Sequence, residues 1–227
     1  MAKELAIVLN NGSINSAVAS ALAAQRFRLV MLHALTAGPS GDDPEPPSRA
    51  RVAFDQQVGF FKPYRDHVLP MPFLSQLVVP GGPKAVTPAP DPRQQGLLAP
   101  QMLELLPLMA AAARFADHYQ AAAVYLGLRI GAASDELAQA SEYVQIWSEL
   151  IQLPCGLTDV DFVAPLLELE TWQVVDLGFQ VNAPLERTWS CVGDGGEPCW
   201  ACRGCRAREA AFQQAAKPDP LRALRRA

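Results

Sequence analysis

Long hydrophobic runs are missing from this 227-residue chain. No apolar stretch reaches the ~18 residues that a membrane-spanning helix needs, so none is expected. The opening residues, MAKELAIVLN, lack the basic flank, long apolar core and small-residue cleavage site of a signal peptide. The expected compartment is therefore the cytoplasm. Excess positive charge is also missing: 19 Lys and Arg face 23 Asp and Glu, for a net charge of -4. That balance argues against a surface-wide nucleic-acid footprint, and neither nucleic acid nor membrane is an expected partner. Histidine is scarce. His33, His67 and His118 lie far apart without metal-ligand spacing, which leaves them ordinary core or surface roles.

What remains is a chain that is 50% hydrophobic, enough to bury a sizeable core. Twenty prolines against 15 glycines are concentrated in two stretches, 37–50 and 80–100, which read as extended loops. Around them the pattern alternates. LAIVL (5–9), FRLVMLHAL (27–35), FLSQLVV (73–79), AAAVYLGL (121–128) and DVDFVAPL (159–166) read as buried strands. Helices are expected from Ser16 through Gln25, over 51–68 with Pro63 kinking or ending it, and over 101–119. In the last of these Met102, Leu105, Leu106, Met109, Ala113 and Ala116 form the apolar face, and Pro107 starts or kinks it. Ser134 reads as the N-cap of a helix with Leu137, Ala140, Val144, Trp147 and Ile151 at helical spacing. A short helix over Thr171–Leu177 is expected to end at Gly178. Repeated β-α order implies a parallel sheet with helices on both faces.

Two features carry chemistry. The first is LNNGSINSAV (9–18), a turn between an apolar strand and a helix, the place where a phosphate often binds. It holds one glycine, no lysine and no acid. The second is CVGDGGEPCWACRGC, in which Cys191, Cys199, Cys202 and Cys205 are spaced C-x7-C-x2-C-x2-C. A C-x2-C pair brings two thiolates to one ion from a tight turn, and the four together complete a tetrahedral shell. Four thiolates leave no open position, so a metal here is structural. Zinc is the expected ion, with iron–sulfur and free thiols or disulfides as alternatives. Arg203, Arg206 and Arg208 offset its charge, and Trp189 and Trp200 pack around it. Cys155 stands alone and reads as a buried, unreactive thiol. The basic end, KPDPLRALRRA, reads as a solvated tail.

Residues 164–212 resemble the C-terminal third of the 7-cyano-7-deazaguanine synthases, members of the PP-loop ATP pyrophosphatase superfamily. The matching residues are Pro165-Leu166, Gly178, Thr188-Trp189-Ser190-Cys191, Cys199, Cys202, Cys205, Arg208 and Phe212. AAAVYLG, Ser134 and Glu142-Tyr143 extend the match upstream. The resemblance implies a Rossmann-like (adenine nucleotide alpha-hydrolase-like) parallel five-stranded sheet over 1–180 and a zinc-binding segment over 181–227. It implies ATP and Mg2+ as cofactors, activation of 7-carboxy-7-deazaguanine, ammonia as the nitrogen donor, a nitrile product for queuosine synthesis, and a homodimer.

The departures from that family are as informative. Its S-G-G-x-D-S loop falls on Asn11, Gly12, Ser13, Ile14, Asn15 and Ser16, so two of five fixed positions survive. Serine at the second glycine adds bulk where the backbone approaches pyrophosphate, and Asn15 removes a charge that helps hold magnesium–nucleotide. APQML (99–103) replaces an Arg-Asn pair, Ala132 and Ala138 replace two aspartates, and Thr171 replaces a lysine. These losses point to impaired ATP chemistry, with a non-catalytic member binding a purine-like ligand or a protein partner as the alternative. Asn10 and Asn11 tolerate left-handed backbone, and a residual anion site on Asn11, Gly12, Ser13, Asn15 and Ser16 is expected.

Overall fold

A computed structural model describes residues 4–35, 47–71, 98–193 and 195–223, with the side chains of 98–101 and 104 excepted. Five strands form one parallel sheet: β1 (Leu5–Leu9), β2 (Arg28–Leu35), β3 (Arg65–Pro70), β4 (Ala123–Leu126) and β5 (Asp161–Val163), in the order β3-β2-β1-β4-β5. The helices are α1 (Ile14–Arg26), α2 (Arg49–Phe61), α3 (Leu98–Tyr119), α4 (Leu137–Gln152), α5 (Thr171–Gln180), α6 (Arg203–Gln214) and the short α7 (Pro220–Ala223). This is the expected α/β, Rossmann-like architecture with helices on both faces.

Both sheet faces are covered, which is why the central strands read as unbroken apolar runs. Ile7, Val30, Leu32, Val124 and Phe162 pack against Met109 and Ala116 of α3 and Trp147 and Ile151 of α4. The alternate residues Ala6, Val8, Leu29, Met31 and Tyr125 face Ala23 of α1 and Phe54 of α2. Outside α1 lies a third layer. Val18 and Ala19 meet Val174 and Val175 of α5, Leu185, and Ala211 and Phe212 of α6. The C-terminal residues are thus anchored on the first helix of the sheet domain.

Several boundaries differ from the sequence reading. The helix expected over 51–68 ends at Phe61, because Lys62 turns into left-handed backbone at φ 48° and Pro63 cannot continue the helix. Residues 65–70 then form β3, so they are strand and not helix; the strand expected at 73–79 lies outside the described residues. α1 starts at Ile14, two residues before Ser16, because Ser13 is the N-cap and accepts from the Ser16 N–H. Ser134 is not the N-cap of α4. Its Oγ accepts from the Glu136 N–H in the preceding turn, and the helix begins at Leu137 without a side-chain cap. Pro107 sits within α3 and does not open it, and Leu106 is exposed. Gly178 does not end α5. It is buried in the last turn, where an added Cβ would lie 3.1 Å from both Leu185 Cδ2 and Val18 Cγ2, so it serves the close approach of the layers.

Candidate nucleotide loop, four-cysteine centre and adjoining cleft

The loop 10–13 lies at the C-terminal edge of the sheet, where the strand order departs in two directions from β1. Open α/β sheets bind ligands at such switch points. The loop is tightly seated. Gly127, just past β4, has no room for a Cβ, which would fall 2.8 Å from the Asn15 carbonyl carbon and 2.9 Å from the Ser16 nitrogen. Gly12 takes φ 79°, and a Cβ there would strike the Ala50 carbonyl oxygen of α2. Only glycine meets both demands cheaply. Asn10 and Asn11 tolerate left-handed backbone but do not use it here; among the loop residues positive φ belongs to Gly12.

Asn10 and Asn11 instead act through their side chains. Asn10 Oδ1 accepts from the Gly12 N–H (2.8 Å), and Asn11 Oδ1 accepts from the Ser13 N–H (3.1 Å) and the Ser16 hydroxyl (2.6 Å). Ser16 Oγ accepts from the Asn11 N–H (3.2 Å), and Ser13 Oγ from the Ser16 N–H (3.3 Å). Four of the loop's backbone donors are therefore taken by the loop's own side chains. Asn15 contributes none of these bonds.

Behind the loop runs a buried polar chain that sequence inspection missed. Asn10 Nδ2 donates to Ser20 Oγ (3.0 Å) and Gln57 Oε1 (2.8 Å), and Gln57 Nε2 donates to the Arg187 carbonyl (3.0 Å). His33 is buried, stacks on Phe54 and donates from Nδ1 to the Asn10 carbonyl (2.9 Å). Burial holds its pKa below the ordinary histidine value, against the pull of that carbonyl. Residue spacing gives no warning of this chain, because Gln57 reads as one polar residue on a surface helix.

The four cysteines converge. Their Sγ atoms all lie within 4.8 Å of one another, with Cys191 to Cys199 at 3.5 Å and Cys191 to Cys202 at 3.8 Å. Zinc–sulfur bonds of ~2.3 Å place tetrahedral ligands about 3.8 Å apart, so this donor set fits one tetrahedral ion. Backbone N–H groups of Val192, Cys199, Cys202 and Cys205 point at the sulfurs. At Cys202 burial opposes ionisation, but the N–H groups of Val192 and Cys205 outweigh it and bring the thiol down to about 6. Burial and the neighbouring Cys202 push Cys205 up to about 12.

The segment is wired to the loop. The Trp189 N–H donates to the Gly12 carbonyl (2.9 Å), two residues before Cys191. Arg49, at the start of α2, donates from Nε to the Gly195 carbonyl inside the cysteine loop (3.0 Å). Gly204 lets the first turn of α6 lie on the Ser190 carbonyl. Trp200 takes φ 55° between the ligands, with the Arg222 guanidinium 4.4 Å above its ring.

Two residues and the basic end differ from expectation. Arg208 does not screen the cysteines: it is buried, and it donates to both Asp219 oxygens (2.7 and 2.8 Å), to Thr188 Oγ1 (2.7 Å) and to the Leu185 carbonyl (3.0 Å). Residues 217–223 of the basic end are accordingly no free tail, because Asp219 and Arg222 tie them to α6. Cys155 is exposed, since it lies in the turn after α4 and not under a layer.

Between α2, the turn at Leu185–Arg187 and the cysteine loop lies a cleft of about 250 Å³. Trp189 forms part of its wall, and the indole Nε1 is buried without an acceptor among the described residues.

A parallel sheet with a loop at its switch point and a four-cysteine segment docked beside that loop defines a Rossmann-like α/β protein with a candidate metal centre. Comparison with known proteins narrows the class. The family model described as queuosine biosynthesis protein QueC matches residues 105–216. The chain is 33% identical over 115 residues to the 7-cyano-7-deazaguanine synthase of Aliarcobacter butzleri, covering 50% of each chain. It is 31% identical over 115 residues to that of Methanothrix thermoacetophila, covering 50% of this chain and 51% of the relative. Over 56 residues, 25% of each chain, identity to the Parasynechococcus marenigrum synthase is 43%. The resemblance to the 7-cyano-7-deazaguanine synthase family is thus shown for the C-terminal half, and the chain spans about half the length of the curated relatives it matches. Among solved structures, the U34-tRNA thiolase NcsA of Methanococcus maripaludis with its [4Fe-4S] cluster aligns at a TM-score of 0.44 and 14% identity, covering 93% of this chain and 64% of that one.

Proposed function

We propose that this chain is a divergent 7-cyano-7-deazaguanine synthase-like protein in which the standard ATP chemistry is impaired or lost. The observation that carries this reading is the self-bonded loop. The N–H groups of Asn11, Gly12, Ser13 and Ser16, which a pyrophosphate would need, are held by Asn10, Asn11, Ser13 and Ser16 side chains. An incoming phosphate must displace those bonds and gains no charge from Asn15, nor from Ala132, Ala138 or Thr171 beyond it. Each charge-stabilising group lost from such a site typically removes a few kcal/mol, and about 1.4 kcal/mol is a factor of ten in rate. The residual capacity of Asn11, Gly12, Ser13, Asn15 and Ser16 is for weak anion binding at the start of α1.

The four-sulfur set is best read as holding one Zn2+. Cys191, Cys199, Cys202 and Cys205 close the coordination sphere, so the ion supplies rigidity to the segment and no Lewis-acid chemistry. A second reading, a non-catalytic member that binds a purine-like ligand, is favoured by the cleft between α2 and the cysteine loop, whose lining includes Trp189 but none of the loop residues 10–16.

The test is turnover. Zinc-loaded full chain with magnesium–ATP, ammonia and 7-carboxy-7-deazaguanine is expected to release pyrophosphate and form nitrile at the rate of the blank. Nitrile formation clearly above the blank would overturn the reading.

A further inference from the structure

We propose that Cys191 and Cys199 form an oxidation site: a hydroperoxide that reaches Cys199 closes the two sulfurs into a disulfide and strips the four-cysteine centre of two ligands. The inference rests on the four-sulfur metal reading above and goes beyond it. It does not depend on the ATP chemistry.

Three observations carry it. Exposure is graded across the four sulfurs. Cys199 is exposed, Cys191 and Cys202 are half-buried, and Cys205 is buried. A dissolved oxidant therefore meets Cys199 first, and oxidation of thiolates follows access. The second observation is distance. Cys191 Sγ lies 3.5 Å from Cys199 Sγ and 3.8 Å from Cys202 Sγ. A disulfide bond measures about 2.0 Å, so closing the nearer pair takes a move of about 1.5 Å.

The third is which backbone can make that move. Cys202 is the N-cap of α6 and Cys205 lies in its first turn, so the docked helix fixes both. Cys191 and Cys199 are joined instead by VGDGGEP, which places three glycines in seven residues. A Cβ added at Gly193 or Gly195 would meet no atom closer than 3.7 Å outside its chain neighbours, so packing does not clamp this span.

The reaction has two steps with hydrogen peroxide as oxidant. The Cys199 thiolate attacks the peroxide, the O–O bond breaks, and a sulfenic acid and one hydroxide form. The Cys191 thiolate then attacks that sulfenic sulfur, the S–S bond forms, and a second hydroxide leaves. The two sulfurs lose two electrons in total, and the peroxide takes both. Cys202 and Cys205 remain thiolates, and two sulfurs do not close a tetrahedral shell, so the ion is released.

The test treats zinc-loaded full chain with hydrogen peroxide. Zinc is followed with a chromogenic chelator, and free thiols are alkylated before peptide mapping. Zinc release is expected to accompany loss of two hydrogens from the chain. Cleavage after Glu197 is expected to leave the Cys191 and Cys199 peptides joined, with Cys202 and Cys205 alkylated. Dithiothreitol with added zinc is expected to restore the metal. Cys155→Ser removes the exposed cysteine outside the centre and is expected to leave the release rate unchanged. A disulfide that includes Cys202, Cys205 or Cys155, sulfinic acid at Cys199 with Cys191 still alkylated, or full zinc retention after Cys155 has oxidised overturns the proposal. A purified chain without zinc overturns the metal reading instead, and the same map on the reduced chain then decides which pair closes.

Discussion

Arg208 and Asp219 form a bidentate ion pair with side chains only 2% and 6% exposed, completed by Thr188 Oγ1 and the Leu185 carbonyl. Removing one partner of such a pair leaves an uncompensated buried charge, which typically costs about 3–5 kcal/mol. Asp219→Asn keeps the shape and removes the charge. It is expected to lower unfolding stability by about 3 kcal/mol in urea denaturation; a change under about 1 kcal/mol would show the pair to be dispensable. The Arg208 match was legible in the sequence, but its role was not. Its partner lies 11 residues on, in a stretch that reads as a basic tail. The same holds for Asn10 and Asn11. Their residue type announced a turn, yet what they do is accept the loop's N–H groups, and that depends on where Ser16 and Gln57 come to rest.

At the scale of elements, hydrophobic periodicity located β1, β2, β4 and α4 because burial on a fixed face leaves a fixed spacing. It failed at β3. Among the described residues RDHVLP is an edge strand with no fully buried side chain, so it carries neither an unbroken apolar run nor clean alternation. It failed again at Gly178, where a residue that usually ends helices allows two layers to touch. The cysteine segment was the most legible element, since metal-ligand spacing is a covalent constraint read directly from the chain. The zinc reading predicts one zinc and no iron per chain by elemental analysis. It also predicts a sharply lower folded yield for Cys202→Ser, because metal binding and folding share one free energy. Iron in the purified chain, or full folded yield without metal, would contradict it.

At the scale of the molecule, the loop and the cysteine segment form one assembly. The Trp189 N–H holds the Gly12 carbonyl, Arg49 holds Gly195, and Gln57 joins Asn10 to the Arg187 carbonyl. Order of elements made the parallel sheet and the position of the loop legible; the bonds that join the loop, α2 and the cysteine segment were not, because they link residues far apart in the chain. Among the described residues no helix is long and apolar enough to cross a membrane.

The central claim is that the loop occupies the place of a pyrophosphate cradle without its chemistry. It is tested most directly by calorimetric titration of magnesium–ATP into the metal-loaded full chain. The account predicts no saturable heat below concentrations on the order of millimolar, corresponding to about 4 kcal/mol or less of binding free energy. Stoichiometric, magnesium-dependent binding in the range of about 1–10 μM would contradict it.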